Sequence, residues 1–63
     1  DSRNSFFVRT SSDQAAVEAA FGKVTYVSAG IDGEIGFTTG EMSESEFEES
    51  AAKIELINRI RLG

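Results

Sequence analysis

The stretch VTYVSAGIDGEIGFTTG, residues 24–40, constrains the fold more than any other part of the chain. Two runs of alternating polarity flank Asp32-Gly33, a pair suited to a two-residue turn whose central positions both take positive φ. A hairpin hinged there sets Ile31 opposite Glu34, Gly30 opposite Ile35, Ser28 opposite Phe37 and Tyr26 opposite Thr39. Side chains alternate along a strand, so one face collects Val24, Tyr26, Ile35 and Phe37. The other carries Thr25, Val27, Ala29, Ile31, Gly36 and Thr38. The first face is the bulkier and is assigned to the core. Gly30, Gly33, Gly36 and Gly40 follow from hairpin geometry, since they lack the lysine and the strand-to-helix setting of a phosphate loop.

The rest of the chain supplies what such a hairpin needs to bury its face. Residues 5–10, SFFVRT, read as a strand with Phe6, Val8 and Thr10 on one side and Phe7 and Arg9 on the other. SSDQAAVEAAFG reads as a helix, with Ser11 as its cap, Gln14 as capping-box partner and Gly22 as its stop. MSESEF opens a second helix: Ser43 and Glu46 form a capping box, and Met42 and Phe47 have the spacing of a hydrophobic staple. Residues 54–62 admit two readings. Ile54, Ile57 and either Ile60 or Arg61 continue a helix, whereas Ile54, Leu56, Ile60 and Leu62 fit a strand with Asn58 as the exception. The isoleucines and the unfinished sheet favour the strand.

The order is therefore β-α-β-β-α-β. This predicts an α+β, ferredoxin-like fold: a four-stranded antiparallel sheet in the order 4-1-3-2, with both helices on one face. Residues 1–4 are expected to form a flexible N-terminal end, and residues 5–63 a single α/β sandwich domain. A chain beginning at Asp1 is expected to be a processed product or an excised piece.

Composition narrows the chemistry. Sixty-three residues without cysteine or histidine offer neither disulfides nor the usual zinc ligands. A domain of this size buries only roughly 60% of its unfolded surface. The net charge is −5, with five glutamates between Glu41 and Glu49, a field that repels phosphate backbones. Nucleic-acid binding is not expected, and no apolar run approaches the ~18 residues of a membrane span. The glutamates of the second helix read as a solvated face, and no nucleophile–histidine pair exists. The chain is expected to be no enzyme, to hold no cofactor or metal, and to lack catalytic residues.

What stands out is the sheet face away from the helices. Phe7, Val27, Ile31 and Ile57 are expected there, among Thr25, Ala29, Thr38, Arg9, Arg59 and Arg61. A solvent-facing sheet is normally more polar, so Phe7, Val27, Ile31 and Ile57 are read as a contact surface. Lys23 and Arg61 stand near the two edges, where charge discourages unspecific pairing without forbidding a specific symmetric one.

The segments SFFVRTSSDQAAVEAAFG, VTYVSAGIDGEIGFTTGEM and the closing INRIRLG together resemble a small ACT-type regulatory domain, over residues 5–63. The resemblance implies a cytoplasmic, non-catalytic domain that pairs into larger sheets and binds amino acids at an interface, regulating an enzyme of amino-acid metabolism. Where that family carries a Gly-Val/Ile-Leu run, this chain reads Ser11-Ser12-Asp13-Gln14. Ligand contacts would then fall to Thr10, Ser11, Ser12 and Asp13, which combine hydroxyls, a carboxylate and the open N–H groups of a helix start. The partners expected are a second copy or the remainder of a larger protein, with a small polar effector. The alternatives are a protein-binding or inhibitory module, or a non-catalytic fragment or subunit of a larger enzyme.

Overall fold

The computed structural model describes residues 2–63, with the side chains of residues 29–31 excepted. The elements are β1 (Arg3–Thr10), α1 (Gln14–Phe21), β2 (Thr25–Ile31), β3 (Glu34–Thr38), β4 (Met42–Ser43), α2 (Glu44–Ala51) and β5 (Leu56–Leu62). β1 pairs antiparallel with both β3 and β5, and β2 pairs with β3. The four long strands thus lie in the order β2-β3-β1-β5, the expected ferredoxin-like arrangement. Residues 56–62 are a strand, so the period-two reading of that segment holds.

β1 begins at Arg3, earlier than the strand expected from SFFVRT, because the short β4 gives it a partner there. Arg3 pairs with Ser43 and Asn4 with Met42. Between β3 and β4 the chain leaves the ladder, and Thr39 serves Phe6 in its place. The Phe6 N–H donates to the Thr39 hydroxyl at 3.0 Å, and the Thr39 N–H donates to the Phe6 carbonyl at 2.9 Å. This explains why Thr39 is buried: both of its polar groups satisfy a core strand.

The core lies between the sheet and the two helices. Phe6, Val8, Phe37, Val17 and Phe47 are fully buried, and Ala51 nearly so. Phe21, Val24, Tyr26, Ile35, Met42 and Ile54 pack around them. Phe6 stacks on Phe47 with ring centres 4.1 Å apart, and Phe21 meets Phe37 edge-on at 5.3 Å. Each such ring, taken from water, contributes about 1.5–3 kcal/mol.

The hairpin turns where Asp32-Gly33 requires, with φ of 54° and 72°. Its register departs from the expected one. Ile31 does pair with Glu34, but Ala29 pairs with Ile35, Ser28 with Gly36 and Tyr26 with Phe37. Two one-residue irregularities in β2, between Ala29 and Ile31 and between Tyr26 and Ser28, slip the strand twice. Each slip exchanges the faces, so two together return Tyr26 to the core beside Phe37. Ser28 is left on the opposite face, across from Gly36. A Cβ at Gly36 would come within 2.9 Å of the Ser28 hydroxyl and 3.3 Å of the Phe7 ring, so any side chain there would have to push both aside.

Helix α2 has the start expected of it. The Ser43 hydroxyl accepts from the Glu46 N–H, and the Glu46 carboxylate accepts from the Ser43 N–H at 2.9 Å. Helix α1 does not. Its cap is Asp13 and not Ser11: the Asp13 carboxylate accepts from the Ala16 N–H at 2.9 Å. Gln14 reaches forward to Glu18 instead of closing a capping box. The reason lies outside the helix, because Thr10 and Ser12 are drawn to Glu55 and hold the loop away from a cap at position 11. Gly22 ends the helix at φ 77°, as its position predicts. Asp13→Ala is therefore expected to cost about 1 kcal/mol in urea unfolding. Ser11→Ala should stay within about 0.5 kcal/mol.

Candidate interaction surface

β5 is built differently from the other strands. One edge pairs with β1, and among the described residues no strand pairs with the other. Leu56, Ile57, Ile60 and Leu62 are 40 to 50% exposed, an unusual string of large apolar side chains on one short segment. Val27 on β2, at the opposite edge, is 61% exposed.

The faces of β5 are inverted from residue 58 onward relative to the sequence reading. Thr10 pairs with Leu56 but Arg9 pairs with Asn58, which leaves Ile57 as an extra residue in a bulge. Beyond it Arg59 lies opposite Val8 and Arg61 opposite Phe6, on the helix side, because paired residues share a face. Ile60 lies opposite Phe7 and Leu62 opposite Ser5, on the open side. Arg59 and Arg61 are thus not on the open face, and Ile60 and Leu62 are. A single inserted residue accounts for the whole exchange.

Arg59 shows why the inverted arrangement is stable. Its guanidinium sits 4.7 Å from the centre of the Phe47 ring and 5.8 Å from that of Phe6. From there it pairs with both Glu44 and Glu48, which stand one turn apart on α2. Hydrogen bonds to Glu48, then to Glu44, raise its pKa further above the ordinary value. The side chain covers the core with its stem and ends in water with its charge. No ion pair to Arg61 is present among the described residues.

A second link fastens β5 at its start. Glu55, the residue before the strand, takes hydrogen bonds from the Thr10 hydroxyl at 2.6 Å and the Ser11 N–H at 3.2 Å on its carbonyl. Its own N–H donates to the Ser12 hydroxyl at 2.8 Å. Of the residues expected to touch a ligand, Thr10 is fully buried, Ser12 is half-buried, and Ser11 and Asp13 are exposed. The four share one loop, but the Thr10 and Ser12 hydroxyls and the Asp13 carboxylate all bond to the chain itself.

The expected contact residues are spread across the sheet. Phe7 is half-buried at its centre, Val27 stands on β2 and Ile57 on β5, at opposite edges. The side chain of Ile31 lies outside the described residues. Leu56, Ile60 and Leu62 complete the exposed apolar set and were not singled out by alternation alone. The signal that finds them is the Glu44/Glu48 pair, which calls for a cation from the neighbouring strand and so fixes Arg59 inward.

On the open face a hollow of about 210 Å³ is lined by Arg9, Ser28, Asp32, Glu34, Ile35 and Gly36. Arg9 and Glu34 are ion-paired within it. It is smaller than the ~300 Å³ at which ligand clefts usually begin.

At the start of α2, Glu46 is held below its ordinary value of 4.5 by the Ser43 N–H and then by Arg3. A lowered carboxyl stabilises the fold above its unfolded-state value and loses that effect as the pH falls through the folded one. Tyr26 is raised above 10.0 by burial and then by its hydrogen bond to Glu18. Among the described residues no three His, Cys, Asp or Glu side chains converge to hold a metal ion, and no helix is long and apolar enough to cross a membrane. No family model, curated protein or solved structure matches the chain.

Arg59→Ala removes a cation–π contact and two exposed ion pairs, which together are expected to be worth about 1–2 kcal/mol. Arg61→Ala should change stability by less than about 0.5 kcal/mol. Thermal unfolding of the two variants beside the parent chain checks both, and equal losses would contradict the inward placement of Arg59.

Proposed function

We propose that this chain is a regulatory or oligomerisation domain that acts by association and carries no catalysis of its own. One observation bears most of the weight: four of the large exposed apolar residues, Leu56, Ile57, Ile60 and Leu62, lie on a strand one edge of which meets no other strand among the described residues. A small domain held by one modest core gains most from covering such a strand, because binding that favours the folded state stabilises it. Phe7, half-buried on the open face, and Val27 extend the apolar surface across the sheet.

The loop Thr10–Asp13 adds a regulatory element to the same reading. Its hydroxyls hold Glu55 at the root of β5, so a small polar effector such as an amino acid, docking against the exposed Ser11 and Asp13, would act on the strand that meets the partner. The Tyr26–Glu18 and Arg59–Glu44/Glu48 contacts keep the two helices fixed to the sheet while this happens.

Sedimentation equilibrium over a wide concentration range tests the reading. A reversible dimer or higher closed oligomer is expected, shifted toward monomer by a charge at Val27 or at Ile57. Which of the two acts identifies the edge in use. A monomer at every concentration would contradict self-association and turn attention to a different protein as the partner of β5.

A further inference from the structure

We infer that the occupant of the β5 edge away from β1 is the β5 strand of a second copy, paired antiparallel about a two-fold axis at Ile60. This rests on the association reading above and names its partner and geometry.

Only part of β5 can pair regularly. Beyond the bulge at Ile57, residues Asn58 to Leu62 follow β1 one for one, so they form the regular stretch. Two copies related by an axis normal to the sheet keep their faces, and each residue must meet one on the same face. The axis therefore runs between the two copies of one residue. Centring it on Ile60 is the choice that pairs the whole stretch from Asn58 to Leu62 with itself.

That register has consistent chemistry on both faces. On the open side Ile60 meets its own copy, Asn58 meets Leu62, and the half-buried Phe7 stands behind Ile60. Ile60 and Leu62 of both copies are brought together at the seam, while Leu56 and Ile57 lie beyond the paired stretch. On the helix side Arg59 comes opposite Arg61 of the second copy. Like charges directly opposite are ordinarily unfavourable, but Arg59 is held between Glu44 and Glu48. Two carboxylates and one guanidinium leave one net negative charge. The second copy's Arg61, which has no ion-pair partner among the described residues of its own chain, balances it. The surplus glutamate on α2 and Arg61 on β5 are thus complementary between copies, and the two-fold axis makes the contact twice.

The same charges select against other pairings. An axis at Arg59 or at Arg61 would put an arginine against its own copy. An axis at Asn58 would run the regular stretch into the partner's bulge at Ile57. β5 is therefore restricted in register, which separates a specific dimer from open-ended strand addition.

Cysteine cross-linking tests the geometry, since the chain has no cysteine of its own. Residues opposite one another across an antiparallel pair lie ~4.5–5.5 Å apart between Cα atoms, within disulfide range. Ile60 is 50% exposed, so Ile60→Cys leaves the core intact, and Val27→Cys on the far edge is the control. At concentrations where sedimentation shows the dimer, Ile60→Cys is expected to close to a covalent dimer at least about tenfold faster than Val27→Cys, through its high effective concentration. Arg61→Glu should weaken the dimer about tenfold, because each of two symmetric contacts turns repulsive. Association with no preference for Ile60→Cys, or with no response to Arg61→Glu, overturns this pairing while the association reading stands. A monomer throughout overturns both.

Discussion

The stack of Phe6 on Phe47 is the contact on which the rest of the molecule depends. It joins the central strand to the second helix at 4.1 Å between ring centres, and Phe21 closes on both Phe47 and Phe37 from the first helix. The two helices have only eight residues each, so these rings, with Val17 and Ala51 beside them, form most of the buried contact between the helical layer and the sheet. Isolated helices of this length do not persist in water, so they exist because these rings hold them. The capping box at Ser43 and the Asp13 cap then fix where each helix begins, and Met42 packs against the core just ahead of α2.

The aromatic stack also decides how the sheet ends. Phe6 and Phe47 present a shared rim to β5, and a flat cation fits that rim better than an aliphatic branch because its charge can remain in water. Arg59 occupies it and ties Glu44 and Glu48 to the edge strand. The bulge at Ile57 makes the placement possible by turning the strand over by one residue. Its consequence is that Ile60 and Leu62 are displaced to the open side. The exposed string on β5 is thus a direct result of how the core is closed, and it leaves an apolar edge for a partner to cover.

Much of this was legible in the sequence wherever a local rule governs. The Asp32-Gly33 turn, the Ser43–Glu46 box, the Gly22 stop and the burial of Phe6, Val8, Phe37 and Phe47 all follow from neighbours a few residues away. So does the strand order, which rests on the succession of elements. The failures are of two kinds. Of the two slips in β2, the one between Ala29 and Ile31 falls at Gly30, but the one between Tyr26 and Ser28 and the bulge at Ile57 carry no glycine to mark them, and each changes the face of everything beyond it. Alternation of Leu56, Ile60 and Leu62 then misleads, since an arginine on a phenylalanine rim is counted as polar although its stem is packed. The helix cap at Asp13 was missed because the competing pull of Glu55 on Thr10 and Ser12 comes from over forty residues away. The same long-range bonds decide how much of the Thr10–Asp13 loop remains exposed.

The direction in which β5 faces decides which side chains are exposed, and nuclear Overhauser contacts to the Phe47 ring measure it directly. The side-chain methylenes of Arg59 should show contacts to Phe47 and Phe6 and upfield shifts from the rings, with Ile60 showing contacts to Phe7. Contacts from the Ile60 methyl groups to Phe47, with Arg59 free of both rings, would contradict the bulge, the outward apolar string and the association built on it.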